Sequence, residues 1–167
     1  MKSLTMMTVS MILMSAGQAF AWGGSSSVGA GNPAAQRCID VGGQLEIVTD
    51  AGGNQHGLCL LQLARIEEWT LFGVTNGRKS LATNAFLDHK PPVLDRGPGQ
   101  PGGPVGMPNP ASVYCGQAGG RLEFLNTESG QLGLCRFADR SAIEEWTLYG
   151  GPRASGNAKL TKILLGR

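Results

Sequence analysis

IEEWTL occupies Ile66–Leu71 and recurs at Ile143–Leu148, 77 positions further on. Around it the match widens. Asn32–Gly73 aligns with Asn109–Gly150, two 42-residue segments with about 20 identical positions. The shared skeleton is N-P-A, a cysteine, G-G-x-L-E, G-L-C, then the hexapeptide and a glycine. The first copy gains a residue near Asn54 and the second near Ser141, in turn-like stretches where loops accept insertions. The chain is therefore a tandem duplication. Two copies are too few for a stacked solenoid. Gly97–Pro108 (GPGQPGGPVGMP) is nine-twelfths Gly and Pro and reads as a spacer. The expected architecture is α+β: two small disulfide-stapled modules, 32–73 and 109–150, each helix–β-hairpin–short helix. A linker spans 74–108, Pro/Gly-rich from 91, and a basic tail spans 151–167.

Within a module the local signals agree. Asn32-Pro33 and Asn109-Pro110 place an N-cap residue before a proline at the first helical position. Gly42-Gly43 and Gly119-Gly120 stop that helix. LEIVTD and HGLCLLQ, like LEFLNT and LGLCRFA, flank glycine-containing turns and predict a hairpin. IEEWTLFG and IEEWTLYG read as a short helix or a third strand. Ser141 with Glu144 three residues on forms a capping-box pattern that favours helix in the second copy. Ser80–Leu87 has room for a short helical turn. In the tail, Leu160, Ile163 and Leu164 share one helical face among Lys159, Lys162 and Arg167.

Cys38, Cys59, Cys115 and Cys135 allow three pairings. The duplication selects Cys38–Cys59 and Cys115–Cys135, because each copy should fold like the other. A bond closing such a loop adds roughly 3 kcal/mol by chain entropy, a large share for a module too small to bury much apolar surface.

Such bonds need an oxidising compartment, and the N-terminus agrees. Lys2, the apolar run Met6–Met14 and Ala19-Phe20-Ala21 form a secretory signal peptide over 1–21, expected to be cut after Ala21. A flexible lead-in, 22–31, would follow. The apolar run is shorter than the ~20 residues that span a bilayer, and no lipobox cysteine follows. The expected location is the periplasm or the extracellular space. The formal charge is +2, falling to +1 without Lys2, which is no footprint for nucleic acid.

No constellation points to catalysis. Glu67-Glu68 and Glu144-Glu145 are paired carboxylates, but neighbours on a helix diverge by about 100°. They read as a solvated helix start complementing the dipole, and as a candidate binding surface. Ile66, Trp69 and Phe72, and equally Ile143, Trp146 and Tyr149, read as core at helical spacing. His56 is replaced by Leu132 in the other copy, so it is no shared catalytic base, and His89 lies beside the linker. Asp50 and Asn54 suit turn chemistry. No C-x-x-C, H-E-x-x-H, G-x-S-x-G or phosphate loop occurs. No enzyme activity, cofactor or metal is expected. Membrane contact is expected only through the 159–167 tail, which is too short for a lytic amphipathic helix.

The pattern N-P-A-x-x-x-C-x-x-x-G-G-x-L-E, then G-L-C, then I-E-E-W-T-L-[FY]-G resembles a bacterial family of small secreted or lipoprotein domains. That family is catalogued as a domain of unknown function, and its members are often labelled hemolysins. Members often carry a second cysteine pair, one of it just before E-E-W. Here Ile66 and Ile143 stand at that place. The label implies lysis, for which the residues offer no mechanism. The expected function is non-enzymatic binding to a protein or envelope component, with the two modules acting bivalently across the linker. The alternatives are an inhibitor of a secreted hydrolase, presenting 52–55 or 129–131, and an envelope-active, hemolysin-like protein.

Overall fold

The computed structural model describes residues 31–90, 109–128 and 130–166. The expected signal peptide, the lead-in up to Ala30 and the Gly/Pro-rich 91–108 lie outside them. Each repeat opens with a helix, α1 (Pro33–Asp40) or α4 (Pro110–Gln117). Asn32 and Asn109 cap these through their side chains, and each helix ends before a left-handed glycine, Gly42 (φ 74°) or Gly119 (φ 85°). The hairpins follow: β1 (Gln44–Asp50) with β2 (Gln55–Leu61), and β4 (Arg121–Thr127) with β5 (Gly130–Arg136). The hexapeptide then divides. Its start completes a third strand, β3 (Ala64–Glu67) or β6 (Ala142–Glu144). Its remainder is helix, α2 (Glu68–Thr75) or α5 (Glu145–Gly150). A further helix ends each half, α3 (Leu81–Leu87) and α6 (Ala158–Leu164).

The repeats are not separate modules on a linker. The six strands close into one antiparallel barrel, ordered β1-β2-β3-β6-β5-β4. One seam pairs Ile66 with Ile143 and the other pairs Thr49 with Asn126. Both pairs join positions 77 apart, so each residue meets its own counterpart. That is the relation of an isologous two-fold contact, here inside a single chain. The expected helix–hairpin–helix beads are overturned because the third strand of each repeat leaves an edge unpaired. An open edge is a liability, and closure removes it.

Two apolar clusters follow from closure. Val48, Leu58, Leu125, Leu134 and Ala142 fill the barrel interior. A larger cluster lies between the barrel's outer surface and the helices, and holds both disulfides with Ile66, Ile143, Phe86 and Leu160. Successive residues of β2 are therefore buried on opposite faces, which is why HGLCLL does not alternate. The disulfides are Cys38–Cys59 and Cys115–Cys135, each holding the first helix to the second strand of its own repeat. The last helices cross over: α3 packs on α5 of the other repeat, and α6 packs on α2. Leu160 is fully buried, and Ile163 and Leu164 pack on the same core, so the apolar side of the tail is used within the fold. No helix among the described residues is long and apolar enough to cross a membrane.

Candidate functional site

The repeated hexapeptide is the seam of the barrel, and each of its residues has a place there. Ile66 and Ile143 pair across it and are fully buried. The first glutamate of each copy is the N-cap of the following helix. Glu67 Oε2 accepts from the Thr70 amide and hydroxyl, both at 2.7 Å. Glu144 accepts from the Trp146 and Thr147 amides at 2.9 and 2.7 Å and from the Thr147 hydroxyl at 2.8 Å. Those threonines then accept from the opposite repeat. The Arg65 amide donates to Thr147 Oγ1, and the Ala142 amide donates to Thr70 Oγ1, each at 2.9 Å. The two bonds are two-fold counterparts. They satisfy amides that the short β3–β6 pairing leaves without strand partners.

The second glutamate of each copy is buried, at 5 % exposed for Glu68 and 4 % for Glu145. Asn32 Nδ2 donates to Glu68 Oε1 and Asn109 Nδ2 to Glu145 Oε1, both at 3.0 Å. Gly57 and Gly133 make room for them: a Cβ at either glycine would fall inside the carboxylate. Burial pushes the Glu68 carboxyl up, with Asn32 opposing and Glu67 reinforcing. Burial raises Glu144 too, against the donors from Trp146 and Thr147 and the nearby Arg65.

These placements reverse two expectations. Glu68, Glu144 and Glu145 are not a solvated binding surface but buried structural acids, and Glu67 is tied up as a cap. Trp69 and Trp146 are not core plugs; they stand 51 % and 52 % exposed. The cause is the frame of the helix. Ile66 and Ile143 belong to strands, so Ile66/Trp69/Phe72 was never one helical face. The helix starts at the second glutamate and turns that residue and Leu71 or Leu148 inward. The tryptophans then point away, each edge-on to its neighbour, Phe72 at 5.8 Å or Tyr149 at 5.7 Å between ring centres. Phe72 and Tyr149 themselves are only partly buried. Ser141 is not the N-cap of α5 either. Its hydroxyl accepts from the Ala82 amide of α3 and donates to Asp139, while Asp139 Oδ2 accepts from the Leu81 amide. Burial pushes the Asp139 carboxyl up, but the Ser141 hydroxyl and the Leu81 and Ser141 amides outweigh it, and the net displacement is downward.

Beside Trp69 lies an open cleft of about 210 Å³ between the repeats, walled by Glu67, Arg78, Lys79, Asp139 and Arg140. A second hollow of about 230 Å³ lies beside Trp146, with Glu46, Arg65 and Glu144, but Arg65 is paired with Glu46 at 2.9 Å. The Asp50–Asn54 turn is braced as turn chemistry requires. Asp50 Oδ1 accepts from the Gly52 and Asn54 amides, and Oδ2 accepts from Asn54 Nδ2 and contacts His56. Asn54, followed by His56, holds Asp50 well below the usual carboxylate range. Among the described residues no group of three His, Cys, Asp or Glu is placed to hold a metal ion. Sequence reasoning missed the Trp69 cleft because Arg140 lies about sixty positions from the adjacent Arg78 and Lys79, and the three carry no motif.

A family described as a domain of unknown function, DUF333, matches twice, over residues 29–74 and 106–151, and the chain belongs to that family. It is similar to the uncharacterized protein YoaF of Escherichia coli strain K12, 43% identical over 56 residues, which are 31% of this chain and 67% of that protein. The same figures hold for YoaF of Shigella flexneri. No solved structure matches. The two disulfides are consistent with a secreted or periplasmic protein.

Proposed function

We propose that this protein is a non-enzymatic binding protein acting outside the cytoplasm, a rigid doubly stapled scaffold that engages its target through the exposed tryptophans. The observation that carries this reading is the exchange of roles in E-E-W. The acids are consumed inside the seam, while Trp69 and Trp146 stand half in solvent on equivalent helices. Exposed tryptophan on a rigid element is enriched at recognition surfaces. The repeats are fused, so two-point engagement would use one body and not two tethered ones. The test is crosslinking capture with residues 22–167 against envelope and culture-fluid proteins, run beside W69A, W146A and the double variant. A partner held by the parent chain and lost by the double variant supports the reading. Undiminished capture by the double variant overturns it.

A second reading is inhibition of a secreted hydrolase, favoured by the braced Asp50–Asn54 turn, a rigid loop presented at a hairpin end. Inhibition lost in D50A/N54A, with the fold intact, would support it. A hemolysin-like action would require the mature chain to release dye from liposomes.

A further inference from the structure

We infer that the cleft beside Trp69 binds a ring-sized organic anion, one apolar-faced ring carrying a carboxylate or phosphate. This deepens the binding reading above and rests on it. Three cations meet there from both repeats, Arg78 and Lys79 after α2 and Arg140 in the β5–β6 turn. All three side chains are exposed, and none has an ion pair among the described residues. The two acids of the cleft do not compete for them on equal terms. Glu67 already accepts from Thr70, and Asp139 accepts from the Leu81 and Ser141 amides and the Ser141 hydroxyl. Their charge is spent on internal donors, while that of the cations is unspent. The half-exposed Trp69 indole supplies the wall on which an apolar ring face lies. At about 210 Å³ the open cleft is smaller than the ~300–1,000 Å³ that takes a drug-sized ligand, which limits the occupant to about one ring.

The turns of the two repeats differ. Arg140 lines the cleft from the three-residue β5–β6 turn, where it sits at φ 69°. The β2–β3 turn places Gln62 in the same conformation (φ 63°) and carries no cation, since its residues are Gln62 and Leu63. The cation wall is thus a property of one side of the two-fold, and one site per chain is expected.

The test is a titration of the full mature chain followed by backbone and indole NMR shifts. The probes are sodium glucuronate, glucose 6-phosphate, glucose and acetate. The expected result is saturable shifts at Trp69, 78–80 and 139–141, with a dissociation constant of about 1 mM for a ring-bearing anion. Glucuronate and glucose 6-phosphate separate the carboxylate from the phosphate source. R140G removes a cation and suits that backbone better than arginine, so it keeps the fold. R140G with K79A should weaken binding at least about tenfold, as loss of two charge-assisted contacts implies. W146F should leave it unchanged. Glucose binding as tightly as glucuronate overturns the inference, as do acetate matching glucuronate or shifts absent from the cleft. If the anions fail while a partner is still captured through the tryptophans, this inference falls and the binding reading stands.

Discussion

The two buried glutamates occupy equivalent positions in one molecule, yet one is better housed than the other. Glu145 Oε2 accepts from Ser112 Oγ at 2.6 Å. Glu68 Oε2 has no hydrogen-bond partner among the described residues. The residue matching Ser112 in the first repeat is Ala35, fully buried and without a donor. Both acids keep the asparagine bond and the glycine opposite, so the difference is one hydroxyl. Duplication copied the seat of the carboxylate, and the two halves now differ in how completely it is filled. Leaving a buried acceptor unpaired costs about 1–3 kcal/mol, so the first repeat should be the weaker half.

Four experiments test that contrast, taken in order of decreasing effect. Removing either disulfide, as C38A/C59A or C115A/C135A, should cost roughly 3 kcal/mol by urea unfolding. The sequence separations are 21 and 20, so chain entropy predicts equal losses. A larger loss in the second repeat would mean that its better-seated glutamate depends on the staple. G133A should cost about 2–3 kcal/mol, since a Cβ displaces a fully bonded carboxylate. G57A should cost less, because Glu68 has less to lose; equal melting temperatures would refute the contrast. S112A should cost about 1–2 kcal/mol and A35S should return about 0.5–1 kcal/mol. If A35S destabilises, the space at Ala35 is too tight for a hydroxyl.

The smallest effect is in pH. The folded-state carboxyl of Glu68 is raised, so its contribution is fully present below the ordinary glutamate range and is lost as pH rises through the raised value. Urea midpoints at pH 4.5 and 7.5 should therefore differ less in E68Q than in the parent chain. Glu144 is raised as well and remains in both, so some slope persists.

What was legible in the sequence was local. The disulfide pairing, the hairpins, the capping asparagines and the glycine stops each depend on residues close in the chain. The helix over Leu81–Leu87 was legible only as a short helical turn; its N-cap, Ser80, was a signal left unread. The barrel was not, because it depends on strand pairs 77 residues apart and on a three-residue strand, Ala142–Glu144, that no periodicity reveals. The hexapeptide misled in its frame: read as one helix it buries tryptophan, and split into strand and helix it buries glutamate. Ser141 and Glu144 matched a capping box, but Glu144 is itself the N-cap of α5, and Ser141 serves the start of α3 instead. Another signal was overlooked. Gly57 and Gly133 sit inside strands, where glycine often marks close approach by another group, and both copies keep it.

The crossing of the last helices has a consequence for cutting the chain. Each disulfide stays within its own repeat, and only 91–108 joins the halves covalently. α3 grips the second half and α6 the first, while the strands lace both seams. A single protease nick between Lys90 and Asn109 should give two bands on a denaturing gel but one particle on a sizing column. The gene could be split there, and its two products should assemble into the same barrel without a covalent link between them.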